Sequence, residues 1–301
     1  MNWLFVTPMT QRMLMKKIVG FTLVLLGVVS FTFAQVPTEK TLLWEISGKD
    51  TREPSYLYGT IHLMCPQDLK VDQVVKDKFN ATKELFLEIK TDDPNMMMEM
   101  MSGLKMKDSS TLKGMMGKTN FDSVSNLFQK STGIPLEMLN TAKPILVISM
   151  VYPSLLGCTP DSWEKTFENL AKERSMPLKG LEKLSDQMKV LESIPYKLQA
   201  DMLLKMMYNL DSAKNTFLTM LDIYKAKDLP GLYAMTTSDA DFGQYEGAML
   251  VDRNRSWIPV IKEQAKKTPT FFACGAAHLG GKDGLISLLR REGYTVKPVM
   301  Y

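Results

Sequence analysis

Histidine is almost absent from this chain: His62 and His278 are the only two in 301 residues. No His-Glu-x-x-His helix can be built from them, which excludes ordinary zincin geometry. Charge is not concentrated either. The formal net charge is +4 and no Lys/Arg-rich run with interleaved aromatics occurs, so nucleic acid is not an expected partner. Long apolar runs are confined to one, at residues 18–34. What remains, 45% apolar and 23% charged residues, is the balance of an ordinary globular protein long enough to bury a sizeable core.

The single apolar run has the form of an export signal. Arg12, Lys16 and Lys17 make a basic region before it, and Ala34 ahead of Gln35 is a small-residue cleavage point. We read residues 1–34 as a signal peptide and 35–301 as the exported protein, periplasmic or extracellular. No cysteine follows the run, so a lipoprotein anchor is not indicated. Membrane association through an uncleaved segment is the alternative, since about 17 apolar residues sit at the short limit for a span. Export bears on the three cysteines. Cys65 and Cys158 lie in loop-like contexts and are expected to pair in an oxidising compartment, whereas Cys274 lies inside an apolar run and is expected buried and reduced. The competing reading, Cys274 as a nucleophile with His278 as its base, asks for poor geometry across a strand-to-loop bend.

The two histidines share a local pattern. SYLYGTIHL places Gly59 three residues before His62, and TFFACGAAH places Gly275 three residues before His278. With 18 glycines in 301 residues a glycine stands there by chance roughly 6% of the time, and at both histidines roughly 0.4%. Each motif ends a strand-like run, and ligands in open α/β sheets collect at the carboxyl ends of strands. One histidine at a strand end is commonly structural; two in matching contexts point to a site.

Along the chain, TLLWEIS and SYLYGTIHL read as strands, 70–81 as a helix, and ELFLEIK as a short strand carrying Glu88. A carboxylate inside such a run either faces solvent, which the residues alone slightly favour, or points at something that needs it. Residues 94–150 read as short methionine-rich helices, an insertion whose methionines supply adaptable packing or, alternatively, a plastic groove for varied substrates. MPLKGLE is a strand ending on Glu182, and residues 252–267 form a helix bearing Arg253, Asn254 and Trp257, with Arg253 and Asn254 on a solvated face or in a site. FFAC, then DGLISLLRREG, then YTVKPV read as one βαβ unit.

In order and spacing, LLWEIS, SYLYGTIHL, LFLEI, GLEKLSDQ, RNRSWIPVI and FFACGAAHLGGKDGLISLLRREGYTVKPV resemble the TraB/GumN family, which includes the Tiki proteins, across nearly all of residues 40–300. The resemblance implies an α/β (α+β) fold like that of erythromycin esterase and ChaN-related proteins: a central mostly parallel sheet, helices outside it, and a helical insertion. It also implies a metal-dependent hydrolase of peptide bonds, as the Tiki members are described, built on Gly59, His62, Gly275, His278 and a glutamate matched by Glu88. Glu182 and Arg253 match further motif positions, Glu182 as a fourth ligand or an acceptor behind an imidazole, and Arg253 as a stabiliser of a developing oxyanion. The cofactor so implied is a divalent ion of Mn, Co or Zn type, and the partner a peptide or protein substrate. Two imidazoles and one or two carboxylates are a sufficient ligand set for such an ion. Two other readings stay open: a metal-free, esterase-like hydrolase in which a histidine polarised by a glutamate activates water, and a periplasmic iron- or haem-binding protein.

Overall fold

The computed structural model describes residues 36–48, 50–239 and 243–301. The signal segment expected at residues 1–34 lies outside the described residues. Strands β1 (Leu43–Ser47) and β2 (Ser55–Thr60) form an antiparallel hairpin, and α1 (Gln73–Asn80) leads into β3 (Glu84–Leu87). Helices α2 (Met96–Leu104), α3 (Leu112–Met116), α4 (Lys118–Thr132), α5 (Pro144–Ser149), α6 (Tyr152–Leu156) and α7 (Trp163–Glu173) precede β4 (Leu178–Gly180). Then come α8 (Leu184–Glu192), α9 (Tyr196–Tyr208), α10 (Leu210–Lys225), α11 (Leu229–Thr237), α12 (Asp252–Lys267), β5 (Thr270–Gly275), α13 (Leu285–Arg291) and β6 (Thr295–Val299).

The six strands form one sheet in the order β4-β3-β5-β2-β1-β6. β4, β3, β5 and β2 run parallel, β1 is antiparallel to β2, and β6 is antiparallel to β1. The fold is therefore α/β with a mostly parallel sheet. One local expectation needs correction: β5, α13 and β6 do not make a βαβ unit of neighbouring strands, because β2 and β1 lie between β5 and β6. Periodicity marks a crossover but carries no information on how many strands it skips.

Strands β2 and β5 are buried on both faces, as an uninterrupted apolar run requires. On one face Tyr58, Phe79, Phe167 and Phe271 meet at ring-centroid distances of 4.9–6.1 Å, with Trp163 5.2 Å from Tyr58. Such pairs contribute roughly 0.5–1.5 kcal/mol each beyond their burial. They also fix α7, whose first turn is capped by Ser162, over the carboxyl end of β2. A disulfide between Cys65 and Cys158, Cα atoms 5.9 Å apart, ties the loop after β2 to the chain entering α7, and paired bonds between Met64 and Asp161 reinforce the tie. Methionines of α2 behave otherwise than core packing predicts: Met97, Met98, Met100 and Met101 stand exposed. Among the described residues no helix is long and apolar enough to cross a membrane.

Candidate functional site

Parallel pairing of β2 with β5 sets Gly59 opposite Cys274 and Thr60 opposite Gly275, so the two Gly-x-x-His segments leave the sheet side by side, one residue out of step. Each glycine is needed for space, not for a left-handed backbone. A Cβ on Gly59 would lie 3.0 Å from both Cα and Cβ of Ala276, and the Gly59 carbonyl accepts from the Tyr224 hydroxyl at 2.9 Å. A Cβ on Gly275 would lie 3.3 Å from Glu88 Oε1, 3.7 Å from His278 Cδ2 and 3.8 Å from His62 Nε2. That one point locates the convergence of three side chains that are up to 216 residues apart.

Glu88 follows β3 and Glu182 follows β4, and strand pairing continues past the strand ends: Leu181 N donates to Leu87 O at 2.8 Å and Glu182 N to Glu88 O at 2.9 Å. The two carboxylates therefore emerge as neighbours. Glu88 is 7% exposed, contrary to the solvent-facing reading, because its residue is the first beyond the apolar run and points over the edge of the sheet. It accepts from Gly275 N at 2.8 Å, Gln187 Nε2 at 3.1 Å and Arg253 Nη2 at 2.6 Å. Burial opposes its charge, but Arg253 above all, with the two imidazoles and the Gly275 N–H, holds the carboxyl well below the usual carboxylate range.

Arg253 is the hub, and its position follows from helix geometry. A π-helical turn, Gly247–Val251, runs into α12, a feature common at functional sites, and Arg253, Asn254 and Trp257 fall on the face turned to the sheet. Guanidinium has five N–H donors. All five are engaged: Nε to Glu182 at 3.1 Å, Nη1 to Met249 O at 3.2 Å and His278 Nε2 at 3.1 Å, Nη2 to Glu88 and to Glu182 at 2.6 Å each. Glu182 takes a further bond from Trp257 Nε1 at 3.0 Å. Glu182 is thus the anchor of Arg253, and it is not the acceptor behind either imidazole. Arg253 lies against Glu88, Glu182 and His278, on the site side of the two placements the sequence left open, and has no unused N–H.

Asn254 and Glu164 are the residues behind the imidazoles. His278, 4% exposed, has Nδ1 2.7 Å from Asn254 Oδ1, and Asn254 Nδ2 donates to His278 O at 3.2 Å and Asp283 O at 3.0 Å. Both amide hydrogens being spent on carbonyls, Oδ1 faces the ring, Nδ1 carries the proton, and Nε2 is the acceptor for Arg253. Burial first, then the charges of Arg253 and His62, outweigh the opposite pull of Glu88 and lower the His278 pKa to about 3, so this ring is neutral. His62 Nδ1 lies 3.0 Å from Glu164 Oε1, which also accepts from Thr60 Oγ1 at 2.6 Å. Burial in the recess works to lower the His62 pKa, but the bond and charge of Glu164, aided by Glu88, raise it to about 9. The side chain is nevertheless 66% exposed at the mouth, so water screens these charges and the upward direction is the firm result.

Sequence reading missed Glu164 and Gln187. A signal for Glu164 existed: Cys65 is three residues from His62 and Cys158 six from Glu164, so the expected disulfide already drew the start of α7 toward the first motif. Cys274 is buried and its thiol is pushed up well above its ordinary pKa by burial, the wrong direction for a nucleophile.

The side chains enclose a recess of about 260 Å³ walled by Ile61, Tyr224, Leu232 and Leu250. Among the described residues no three His, Cys, Asp or Glu side chains are grouped as a ready metal cage. Arg253 rests on His278 Nε2, on Glu88 Oε2 and on Glu182. In identity and support, His62, His278 and Glu88 still suit a divalent ion: each imidazole turns Nε2 inward and is held at Nδ1 from behind, as metal-binding histidines are. Compared with known families, residues 42–298 match the TraB/PrgY/gumN family. The chain belongs to the TraB/PrgY/gumN family. No curated protein and no solved structure matches it. In this TraB/PrgY/gumN chain the matched span takes in all six strands but for the last residue of β6, and every residue of the recess.

Proposed function

We propose that this TraB/PrgY/gumN protein is an exported hydrolase of peptide or related acyl bonds, working at the two-histidine recess with a divalent ion held by His62, His278 and Glu88. One observation carries the reading: two imidazoles face inward around an ionised carboxylate, each oriented from behind, while the only other cation, Arg253, has every N–H engaged. A carbonyl attacked here develops negative charge beside Glu88, Glu164 and Glu182, and Arg253, even together with a protonated His62, does not balance three carboxylates. When bound, a divalent ion supplies the missing positive charge and a water of lowered pKa. To hold such an ion His278 would have to offer Nε2, which here accepts from Arg253 Nη1. The chain's own residues do the positioning: Glu164 and Asn254 fix the rings, Gly275 N–H and Gln187 fix Glu88, and the apolar walls limit water. The Cys65–Cys158 disulfide supports export, since such bonds persist in oxidising compartments.

A second reading has its own observation. The His62–Glu164 pair at 3.0 Å presents Nε2 to the recess and serves as a general base without a metal once the ring has lost the proton that Glu164 helps it hold, and Arg253 already occupies His278. Purified protein assayed against a peptide and ester panel, with metal content measured, separates the two. We expect His62→Ala and His278→Ala to lose metal and turnover together with the far-UV circular dichroism unchanged. Full turnover in excess chelator transfers the chemistry to His62 and Glu164 alone, and no turnover with any divalent ion overturns hydrolysis.

A further inference from the structure

Beside the recess lies a larger cavity of about 500 Å³ between α9, α10, α11 and the π-helical turn. The two adjoin: Met220, Thr236, Met249 and Leu250 line both. Five of the larger cavity's wall residues are Met202, Met206, Met220, Met235 and Met249, and Phe217 and Tyr152 close it with rings whose centroids are 5.0 Å apart. Methionine has three flexible bonds and a polarisable sulfur, so such walls reshape around a flexible apolar chain better than around a rigid ring system. The volume is in the range of small-molecule sites, and the neighbouring recess with Glu88 and the histidines sets what must lie at the end nearest it.

We infer that this groove is the substrate's binding subsite and that it takes a long, flexible, aliphatic chain attached next to the scissile carbonyl. The inference rests on the hydrolytic reading for the identity of the reacting end; the chain-binding groove itself does not. A carbonyl seated at His62 and His278 sends its substituent past Met220 and Met249 into the space between α10 and α11. Apolar contact there acts equally on the bound substrate and its transition state, so it lowers KM and leaves kcat nearly unchanged. Both an acyl ester and a peptide with a straight apolar side chain present this chemistry.

The test uses p-nitrophenyl esters from two to twelve carbons and, in a parallel arm, N-acetyl amino-acid p-nitroanilides carrying alanine or norleucine. KM is expected to fall by up to about fourfold per added methylene until the groove is filled. The ester arm responding alone points to acyl chains, the anilide arm to peptides. Thr216→Trp, at an exposed wall position on α10 outside the recess, should abolish the chain-length effect while the far-UV circular dichroism stays as in wild type. Calorimetric binding of butanoate, octanoate and dodecanoate needs no turnover and is run on both proteins. Dodecanoate binding tighter than butanoate in wild type, and weakened by Thr216→Trp, supports the groove even where no ester is cleaved. Equal affinity for all three acids, or length-independent KM with active enzyme, overturns the inference and leaves hydrolysis standing.

Discussion

Two buried carboxylates meet in one guanidinium, and that single residue sets the charge state of the recess. Arg253 keeps Glu88 ionised at 7% exposure and fills the lone pair of His278. Removing one partner from such a network leaves uncompensated charge out of water, at about 3–5 kcal/mol. Arg253→Ala should lower stability by that order in urea unfolding. Arg253→Lys should rescue only part of it, because an ammonium cannot make five bonds in a fixed fork. His62 offers a cleaner measurement, since only two histidines contribute imidazole signals to an NMR titration. One should titrate well above the ordinary value of 6.5 and the other stay neutral far below it. Glu164→Gln removes the carboxylate that holds the proton on His62, so the upper curve is expected to move down toward 6.5 while the lower one stays in place; an unmoved upper curve would deny Glu164 its role.

At the scale of elements, the site depends on how closely segments approach. Gly59 allows the loop after β5 to lie against β2, and a methyl there meets backbone 3.0 Å away. Gly59→Ala should therefore cost about 1–3 kcal/mol through overpacking, read as a lower thermal midpoint. Helix α7 is held at its start by the Cys65–Cys158 disulfide, which spans 93 residues. Replacing both cysteines with serine should cost about 4–5 kcal/mol on the loop-entropy account. It should also free the start of α7, so the raised His62 titration is expected to fall in the same variant. A stable protein with His62 unchanged would show that the aromatic contacts of Trp163 and Phe167 suffice to place Glu164.

For the molecule as a whole, the two imidazoles shape stability against pH from opposite sides. His278 has a folded pKa lowered to about 3, so below pH 6.5 the unfolded chain binds a proton that the native state refuses. Stability should fall by about 1.4 kcal/mol per pH unit from this group between 6.5 and about 3, joined below the ordinary carboxylate range by Glu88. His62 has a raised folded pKa, so its contribution is present below 6.5 and lost as pH rises toward about 9, reduced by its exposure to water. Urea midpoints should accordingly peak near pH 6.5, and His278→Gln should flatten the acid side.

Much of this was legible in the residues. Alternation and apolar runs marked all six strands, and the repeated Gly-x-x-His pattern marked the first and second loops of the site, because local sterics and burial are written in neighbouring residues. The pairing of Cys65 with Cys158 was expected from their loop contexts and a reading of the chain as exported, and the two are bonded. What local pattern does not carry is which distant groups share a space. Glu88 in LFLEI looks like any strand-end carboxylate until β5 lays Gly275 N–H against it, and Arg253 in RNRSW looks like a solvated helix face until α12 turns it onto β3 and β4. Ligand, anchor and base are distinctions of hydrogen-bond occupancy, and occupancy is set by three-dimensional proximity. Sequence thus determined the family, the strands and the two histidines; the tertiary structure alone assigned Glu164 and Asn254 to them, and gave Arg253 and Glu182 to each other.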